Sequence, residues 1–243
     1  MSGTIIITGA SSGIGRETAE RFLKAGWIVG VMARRAAALE EIALAHDNVV
    51  VLPADVTDPT AVERAFDRFA KTAGRLDVLF NNAGTFGVAG TIDEIPVETW
   101  YEVVNVNLNG MFLCARAAFR LMRAQDPQGG RIINNGSISA HVPREGSVCY
   151  TSTKHAVTGL TRTLSLDGRP FDIACGQIDI GNARTPMVEE MAKRTVAAGN
   201  PPPETMDVGH AADAVFQMAQ LPLSANVQFM TIMATKMPYI GRG

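Results

Sequence analysis

The first fifteen residues constrain the fold more than any other stretch of the chain. Thr4-Ile5-Ile6-Ile7-Thr8 is a short β-branched run of the kind that forms a strand buried on both faces. It leads into Gly9-Ala10-Ser11-Ser12-Gly13-Ile14-Gly15, and then into residues 16–24, where Ala19, Phe22 and Leu23 share one helical face. A strand, a glycine turn and a helix in that order present free backbone N–H groups at a helix N-terminus, the arrangement that holds a pyrophosphate. Gly9 permits the tight turn, Gly13 lets backbone approach a phosphate, and Gly15 lets the helix pack close to the strand. The spacing is G-x-x-x-G-x-G rather than G-x-G-x-x-G. A plain βα loop would account for the glycines alone. Their place directly after an opening strand favours nucleotide binding.

The rest of the chain alternates apolar runs of strand length with helical periodicity. This predicts an α/β protein: a doubly wound, Rossmann-like, parallel seven-stranded sheet with helices on both faces. Further strands are expected over 27–33, 48–54, 76–80, 131–135, 171–178 and 227–233. Helices are expected over 34–45, after a cap at Asp58, from Pro96 through Val104, and over 108–122, 150–166 and 207–220. The 243 residues suit one domain, 1–243, and no repeat or linker divides them. The stretch 183–206, which contains three consecutive prolines, is expected to be a mobile, partly helical excursion.

Composition excludes several classes of partner. A net charge of −2 argues against nucleic acid or an anionic membrane surface. No apolar stretch reaches membrane-spanning length, and no basic and then apolar leader opens the chain. Cys114, Cys149 and Cys175 lack metal-ligand spacing, so no metal is expected and a reducing cytoplasm is the expected compartment.

Loops that follow parallel strands gather on one edge of the sheet, where ligands bind. Four of these loops carry unusual polar residues: Asp55, Asn81-Asn82, Ser137 and Gly181-Asn182. Tyr150 and Lys154, four residues apart at a helix start, lie on one face. An unperturbed phenol, with a pKa of about 10, exchanges protons poorly near neutrality. A neighbouring ammonium stabilises the phenolate and eases that exchange, and a serine hydroxyl can bond an oxygen on which charge develops. This describes hydride transfer at a carbonyl, with the tyrosine handling the proton. His141 could touch substrate or be polar surface. Cys149 lacks a base partner and reads as a buried thiol. Met187, Val188 and Met191 form an apolar stripe, either core or a roof over an apolar substrate. Asp93-Glu94 is a solvated turn.

Together these motifs resemble the short-chain dehydrogenase/reductase family, in its single-domain Tyr-x-x-x-Lys branch. The resemblance runs from residues 8–15 through Asp55-Val56, Asn81-Asn82-Ala83-Gly84, Asn107-Leu108-Asn109-Gly110 and Ser137 to Tyr150-Thr151-Ser152-Thr153-Lys154. It implies Tyr150 as the acid/base, Lys154 as its activator and a ribose contact, and Ser137 as the group that orients the substrate oxygen. Asn107 would support a water chain to Lys154. The cofactor would lie along Gly9, Ser11, Ser12, Gly13, Ile14 and Gly15. Asp55 would accept from the adenine amino group and Val56 would offer backbone. Asn82, Ala83 and Gly84 would flank the adenosine, Gly181 and Thr185 the nicotinamide, and Asn81 would clamp strands. The family usually has Pro-Gly where this chain has Ile180-Gly181. That change is expected to loosen or re-aim the loop, with Asp179 and Asn182 compensating through side-chain-to-backbone bonds.

The second predicted strand ends in Met32-Ala33-Arg34-Arg35, and the nearest acid is Glu40. An acid there would bond the ribose 2′-hydroxyl of NAD, whereas an arginine pairs with a 2′-phosphate. The expected cofactor is NADP(H), ahead of NAD, with Arg34 the main phosphate contact and Arg35 secondary. The expected substrate is a small ketone or secondary alcohol. The alternatives are a catalytically silent NAD(P)-binding sensor or interaction protein, and a longer-branch epimerase or dehydratase, which would resemble T-G-x-x-G-x-x-G with a separate substrate domain. Phe112, Ala115, Ala118, Phe119 and Met122, with Ala156, Val157, Leu160 and Leu164, offer apolar helix surface. By resemblance such helices pair across a two-fold axis, which implies a homo-oligomer, a tetramer or else a dimer, with the last strand and Pro238-Tyr239 near a second interface.

Overall fold

The β-branched runs become strands close to the expected places. The computed structural model of the chain describes residues 3–197 and 199–240. Its strands are β1 (Thr4–Thr8), β2 (Ile28–Ala33), β3 (Val49–Pro53), β4 (Val78–Asn81), β5 (Gly130–Asn135), β6 (Ile173–Ile180) and β7 (Phe229–Ile232). They form one sheet in the order β3-β2-β1-β4-β5-β6-β7, with every neighbouring pair parallel. The strand order reverses at β1 and β4, which opens a crevice beyond their carboxyl ends. The glycine turn after β1 lies there.

Among the described residues, eight α-helices cover the sheet: α1 (Gly13–Lys24), α2 (Ala36–Ala45), α3 (Pro59–Ala73), α4 (Val97–Val104), α5 (Met111–Ala124), α6 (Val148–Gly168), α7 (Pro186–Ala197) and α8 (Val208–Gln220). Alternation along β1 sends Ile5 and Ile7 to one face and Ile6 to the other. The first face packs on Phe22, Leu39, Val215 and Phe216, and the second on Phe66, Phe69, Cys114 and Met122. Each such large apolar side chain, fully buried, contributes ~1.5–3 kcal/mol. Asp58 caps α3 as expected, accepting from the N–H groups of Thr60 and Ala61 at 2.9 and 3.1 Å. Burial pushes the Cys175 thiol up to about 12 and the Cys114 thiol higher still, so both stay protonated and inert.

Three features differ from the sequence reading. The helical patterns from Pro96 and from Leu108 are one continuous run, joined by a π-helical stretch over Asn105–Gly110. The wider π turn brings Asn107 fully inside. Strand β6 starts later and runs two residues further than expected, because Phe171 belongs to a short 3₁₀ turn and Ile180 pairs with Ile232. The Ile180 position is therefore the end of a strand, and the loop begins at Gly181, whose N–H bonds the Ile232 carbonyl at 2.8 Å. Finally, the apolar helix surface of α5 and α6 is partly core: Ala115, Ala118, Met122 and Val157 are buried, Phe119, Ala156, Leu160 and Leu164 are half-buried, and Phe112 is exposed. Periodicity shows that a face is apolar but not which neighbour it meets. The large apolar groups left exposed nearby are Val97, Trp100, Tyr101, Phe112 and Leu166.

Within 183–206, Ala183 bridges to Met206, and α7 lies between them with none of its described residues fully buried. Among the described residues, no helix is long and apolar enough to cross a membrane, and no His/Cys/Asp/Glu group could hold a metal ion.

Candidate active site

The turn after β1 is built so that nothing fills it. Gly9 has φ +68°, and a Cβ on it would sit 3.0 Å from the Ala83 Cα. A Cβ on Gly15 would collide with the Gly9 carbonyl oxygen, so the helix could not approach the turn as it does. Ser12, the N-cap of α1, makes no side-chain cap bond, and the first turn holds no acid. The leading amides of α1 are thus left for an anion. Behind the turn, Thr8 Oγ1 accepts from the Asn82 and Ala83 N–H groups at 2.8 and 2.9 Å. Asn82 Nδ2 donates to the Thr8 carbonyl at 2.9 Å, and its Oδ1 accepts from Asn135 at 2.8 Å. The side chain of Asn82 therefore ties β1 to β5. Asn81, the expected clamp, donates to the Met111 carbonyl at 2.7 Å, holding the start of α5.

A cleft of ≈ 410 Å³ extends over this turn. Its walls include Gly9, Ser11, Ser12, Gly13, Ile14, Arg34, Arg35, Asp55, Val56, Asn82, Ala83, Gly84, Tyr150, Lys154 and Thr185. Asp55 Oδ1 accepts from the N–H and hydroxyl of Thr57, both at 2.9 Å, and its Oδ2 has no partner among the described residues. Arg35 reaches across the turn to the Ser11 hydroxyl at 3.1 Å. Arg34 is exposed at the same end, with no ion-pair partner among the described residues.

A second cavity of ≈ 630 Å³ adjoins the first. Phe86, Ser137, Ile138, Arg144, Ile180, Gly181, Asn182, Val188, Met191 and Arg194 are among its lining residues. Tyr150, Ile14, Thr85, Asn135, Thr185 and Met187 line both cavities. Lys154 is only 2% exposed; its Nζ donates to the Asn135 carbonyl at 2.7 Å and stands 5.5 Å from the centre of the Tyr150 ring. Phe86 lies against the same ring, with centroids 5.2 Å apart. Ser137 Oγ accepts from the Ser139 N–H at 3.1 Å. Asn107 exchanges two bonds of 2.8 Å with the Thr85 backbone and donates to Thr153 Oγ1 at 3.2 Å.

Most of the residues singled out in the sequence thus meet at one edge of the sheet. Gly15 and Asn107 stand behind the wall rather than in it, and Gly181 lines the second cavity instead of the first. Asn182 does make the compensating bond, to the Glu204 carbonyl at 3.3 Å, whereas Asp179 bonds the Ser137 N–H at 2.9 Å, outside its own loop. His141 does not line the second cavity; its Nε2 lies 2.8 Å from Asp179 Oδ2. The Met187, Val188 and Met191 stripe lines that cavity. Sequence reasoning missed Asn135, Thr85 and Phe86, which carry no motif of their own. Only the positions of Asn135 at the end of a strand and of Thr85 directly after Asn-Asn-Ala-Gly could have pointed to them.

The glycine turn, the uncapped helix and the crevice at the strand reversal fit a dinucleotide, because a cradle that a Cβ would fill meets helix amides with no side-chain cap, which favour an anion. A tyrosine backed by a buried ammonium stands where that cleft meets a second cavity. The class is an oxidoreductase acting on CH–OH or C=O groups with a nicotinamide cofactor. The chain belongs to the short-chain dehydrogenase/reductase family: the family model described as short chain dehydrogenase matches residues 3–195. The 2-(R)-hydroxypropyl-CoM dehydrogenase of Xanthobacter autotrophicus is 36% identical over 231 residues, covering 90% of this chain and 92% of that one. Serine dehydrogenase in its closed form, complexed with NADP+, superposes with TM-score 0.89 at 25% identity over 99% of this chain and 98% of that one. A 3-ketoacyl-(acyl-carrier-protein) reductase from Brucella melitensis, complexed with NADH, shares the fold at TM-score 0.85 and 24% identity, each chain covered to 96%.

Proposed function

We propose that the protein is an NADP(H)-dependent oxidoreductase of small ketones or secondary alcohols, with Tyr150 as its acid/base. The observation that carries this reading is the place of Tyr150 on the wall shared by the two cavities. Residues 9–15 would hold the pyrophosphate, Asp55 and Val56 the adenine, Asn82, Ala83 and Gly84 the adenosine side, and Thr185 the nicotinamide end. When bound, the nicotinamide supplies or takes the hydride. In the reducing direction Tyr150 Oη gives its proton to the substrate oxygen, and the buried Lys154 ammonium stabilises the phenolate left behind. Ser137 Oγ already accepts from Ser139, which leaves its own proton for the substrate oxygen as charge gathers there. Asn107 ties the Thr85 segment to α6 next to Lys154, and we assign it the support of a water chain to that ammonium. In the oxidising direction the proton runs the other way.

Nicotinamide absorbance, followed with a panel of ketones and secondary alcohols, tests the reading. Turnover with any of them supports it. Tight cofactor binding with no turnover across the panel would favour a silent sensor.

We assign the 2′-phosphate to Arg34, with Arg35, which lies across Ser11, as the second contact. One similar structure is complexed with NADP+ and another with NADH, so the comparisons support a nicotinamide cofactor and the choice between the two rests on Arg34 and Arg35. A charge-assisted contact is worth ~1.5–3 kcal/mol, so kcat/KM with NADPH is expected to exceed that with NADH by ~10–100-fold. In Arg34→Asp the preference is expected to reverse. A wild type that prefers NADH, or an unchanged preference in the variant, contradicts the assignment.

We also propose that the chain works as a single domain in the cytoplasm, where its three free thiols, all buried, suit a reducing medium. The exposed Val97, Trp100, Tyr101 and Phe112 on α4 and α5 support a homo-oligomer, a tetramer or else a dimer. A single monomeric species in sedimentation at micromolar concentration would count against it.

A further inference from the structure

We propose that Asp179 is a positioning residue, a buried staple that fixes the turn carrying Ser137; this rests on the reading of Ser137 as the group that bonds the substrate oxygen. Asp179 is the penultimate residue of β6 and is 1% exposed. Its Oδ1 accepts from the Ser137 backbone N–H at 2.9 Å and from Gln177 Nε2 at 2.7 Å, while Oδ2 meets His141 Nε2 at 2.8 Å. One carboxyl group therefore grips both ends of residues 137–141. Inside that turn the Ala140 N–H bonds the Ser137 carbonyl at 2.8 Å and the His141 N–H bonds the Ile138 carbonyl at 3.0 Å, so the segment moves as a unit.

The space around the carboxyl is fitted to it. A Cβ on Gly136 would collide with Asp179 Oδ1, so the carboxyl occupies the volume that a side chain before Ser137 would take. Gln177, which holds Oδ1 from below, is itself fixed by Thr161 at 3.1 Å and Thr158 at 3.1 Å on α6. The chain of bonds thus runs from α6, the helix that carries Tyr150 and Lys154, through Gln177 and Asp179 to Ser137. Ser137 and Tyr150 are held on a common support, and that is what a shared grip on one substrate oxygen requires.

The test combines Asp179→Leu and Asp179→Asn, each in wild-type and Ser137→Ala backgrounds, with kcat, NADPH affinity and amide hydrogen exchange at Ser137 as readouts. Asp179→Leu is expected to lower kcat by ~10–10²-fold, the cost of a misplaced reacting group, with NADPH affinity unchanged. Asp179→Asn keeps an oxygen for the Ser137 N–H and is expected to restore most of the loss. In the Ser137→Ala background, Asp179→Leu is expected to cost nothing further, since the staple acts only through that hydroxyl. Multiplying losses, or an equal fall in NADPH affinity, would overturn the proposal. The exchange arm needs no substrate: the Ser137 amide is expected to exchange ~10-fold faster in Asp179→Leu, as a lost hydrogen bond of this kind implies, and unchanged protection would overturn the proposal. If no carbonyl compound is turned over by the wild type, the functional reading fails while the exchange arm still decides the staple. Should Asp179→Leu not fold, His141→Ala removes the Oδ2 partner from the outer end. It is expected to lower kcat a few-fold, with rescue by His141→Gln, and no effect would overturn the proposal.

Discussion

A Tyr150→Phe variant is expected to bind NADPH as the wild type does and to turn over ~10²–10⁴-fold more slowly, the usual worth of a positioned acid/base. The substitution removes one oxygen and its proton. The ring stays against Phe86, and Lys154 keeps its bond to the Asn135 carbonyl, so the walls of the first cavity are unchanged. The check is a pair of measurements, kcat with a reactive ketone and NADPH affinity by fluorescence titration. A variant that retains substantial kcat would contradict the assignment of the proton to Tyr150. A variant that loses both properties would show that Tyr150 serves mainly as a wall.

The Lys154→Met variant is expected to fail in a different pattern, and the contrast identifies the ammonium's work. Lys154 is buried, close under the Tyr150 ring, and lines the first cavity. Methionine keeps much of the stem's volume but removes the charge proposed to stabilise the phenolate. Turnover is expected to fall ~10²-fold or more with the loss of acid/base activation. NADPH affinity is expected to fall as well, by ~10-fold, because a hydrogen bond from a charged group contributes ~1.5–3 kcal/mol. If kcat alone fell, Lys154 would not touch the cofactor. If affinity alone fell, the phenolate would be stabilised by another group.

Local chemistry explains why the glycine turn, the Tyr150–Lys154 pair and the strand ends are legible in the amino-acid sequence. The turn needs residues without a Cβ at Gly9 and Gly15, and a helix places positions four apart on one face, so both signals sit in the residues themselves. The hidden parts depend on long-range geometry. The family resemblance implies Asn82 as a cofactor contact, and tertiary structure adds that its side-chain amide ties Thr8 to Asn135. Asn107 becomes a buried tie because the helix widens to a π turn over Asn105–Gly110, for which the sequence carries no periodic signal. His141 and Asp179 are 38 residues apart, and nothing in either stretch announces the other. The apolar stripe on α5 is split for the same reason: Ala118 and Met122 join the core beneath the sheet, while Phe112 stays exposed.

In the proposed reaction, hydride crosses from the first cavity to a carbon in the second while Tyr150 serves the oxygen. Incubating the enzyme with a reactive ketone and NADPH carrying deuterium at the transferable C4 position tests it most directly, with the alcohol product read by mass spectrometry and NMR. One deuterium is expected on the carbinol carbon with the wild type and almost none with Tyr150→Phe over the same time. NADPH oxidised without label in the alcohol, or label transferred equally well by Tyr150→Phe, would contradict it.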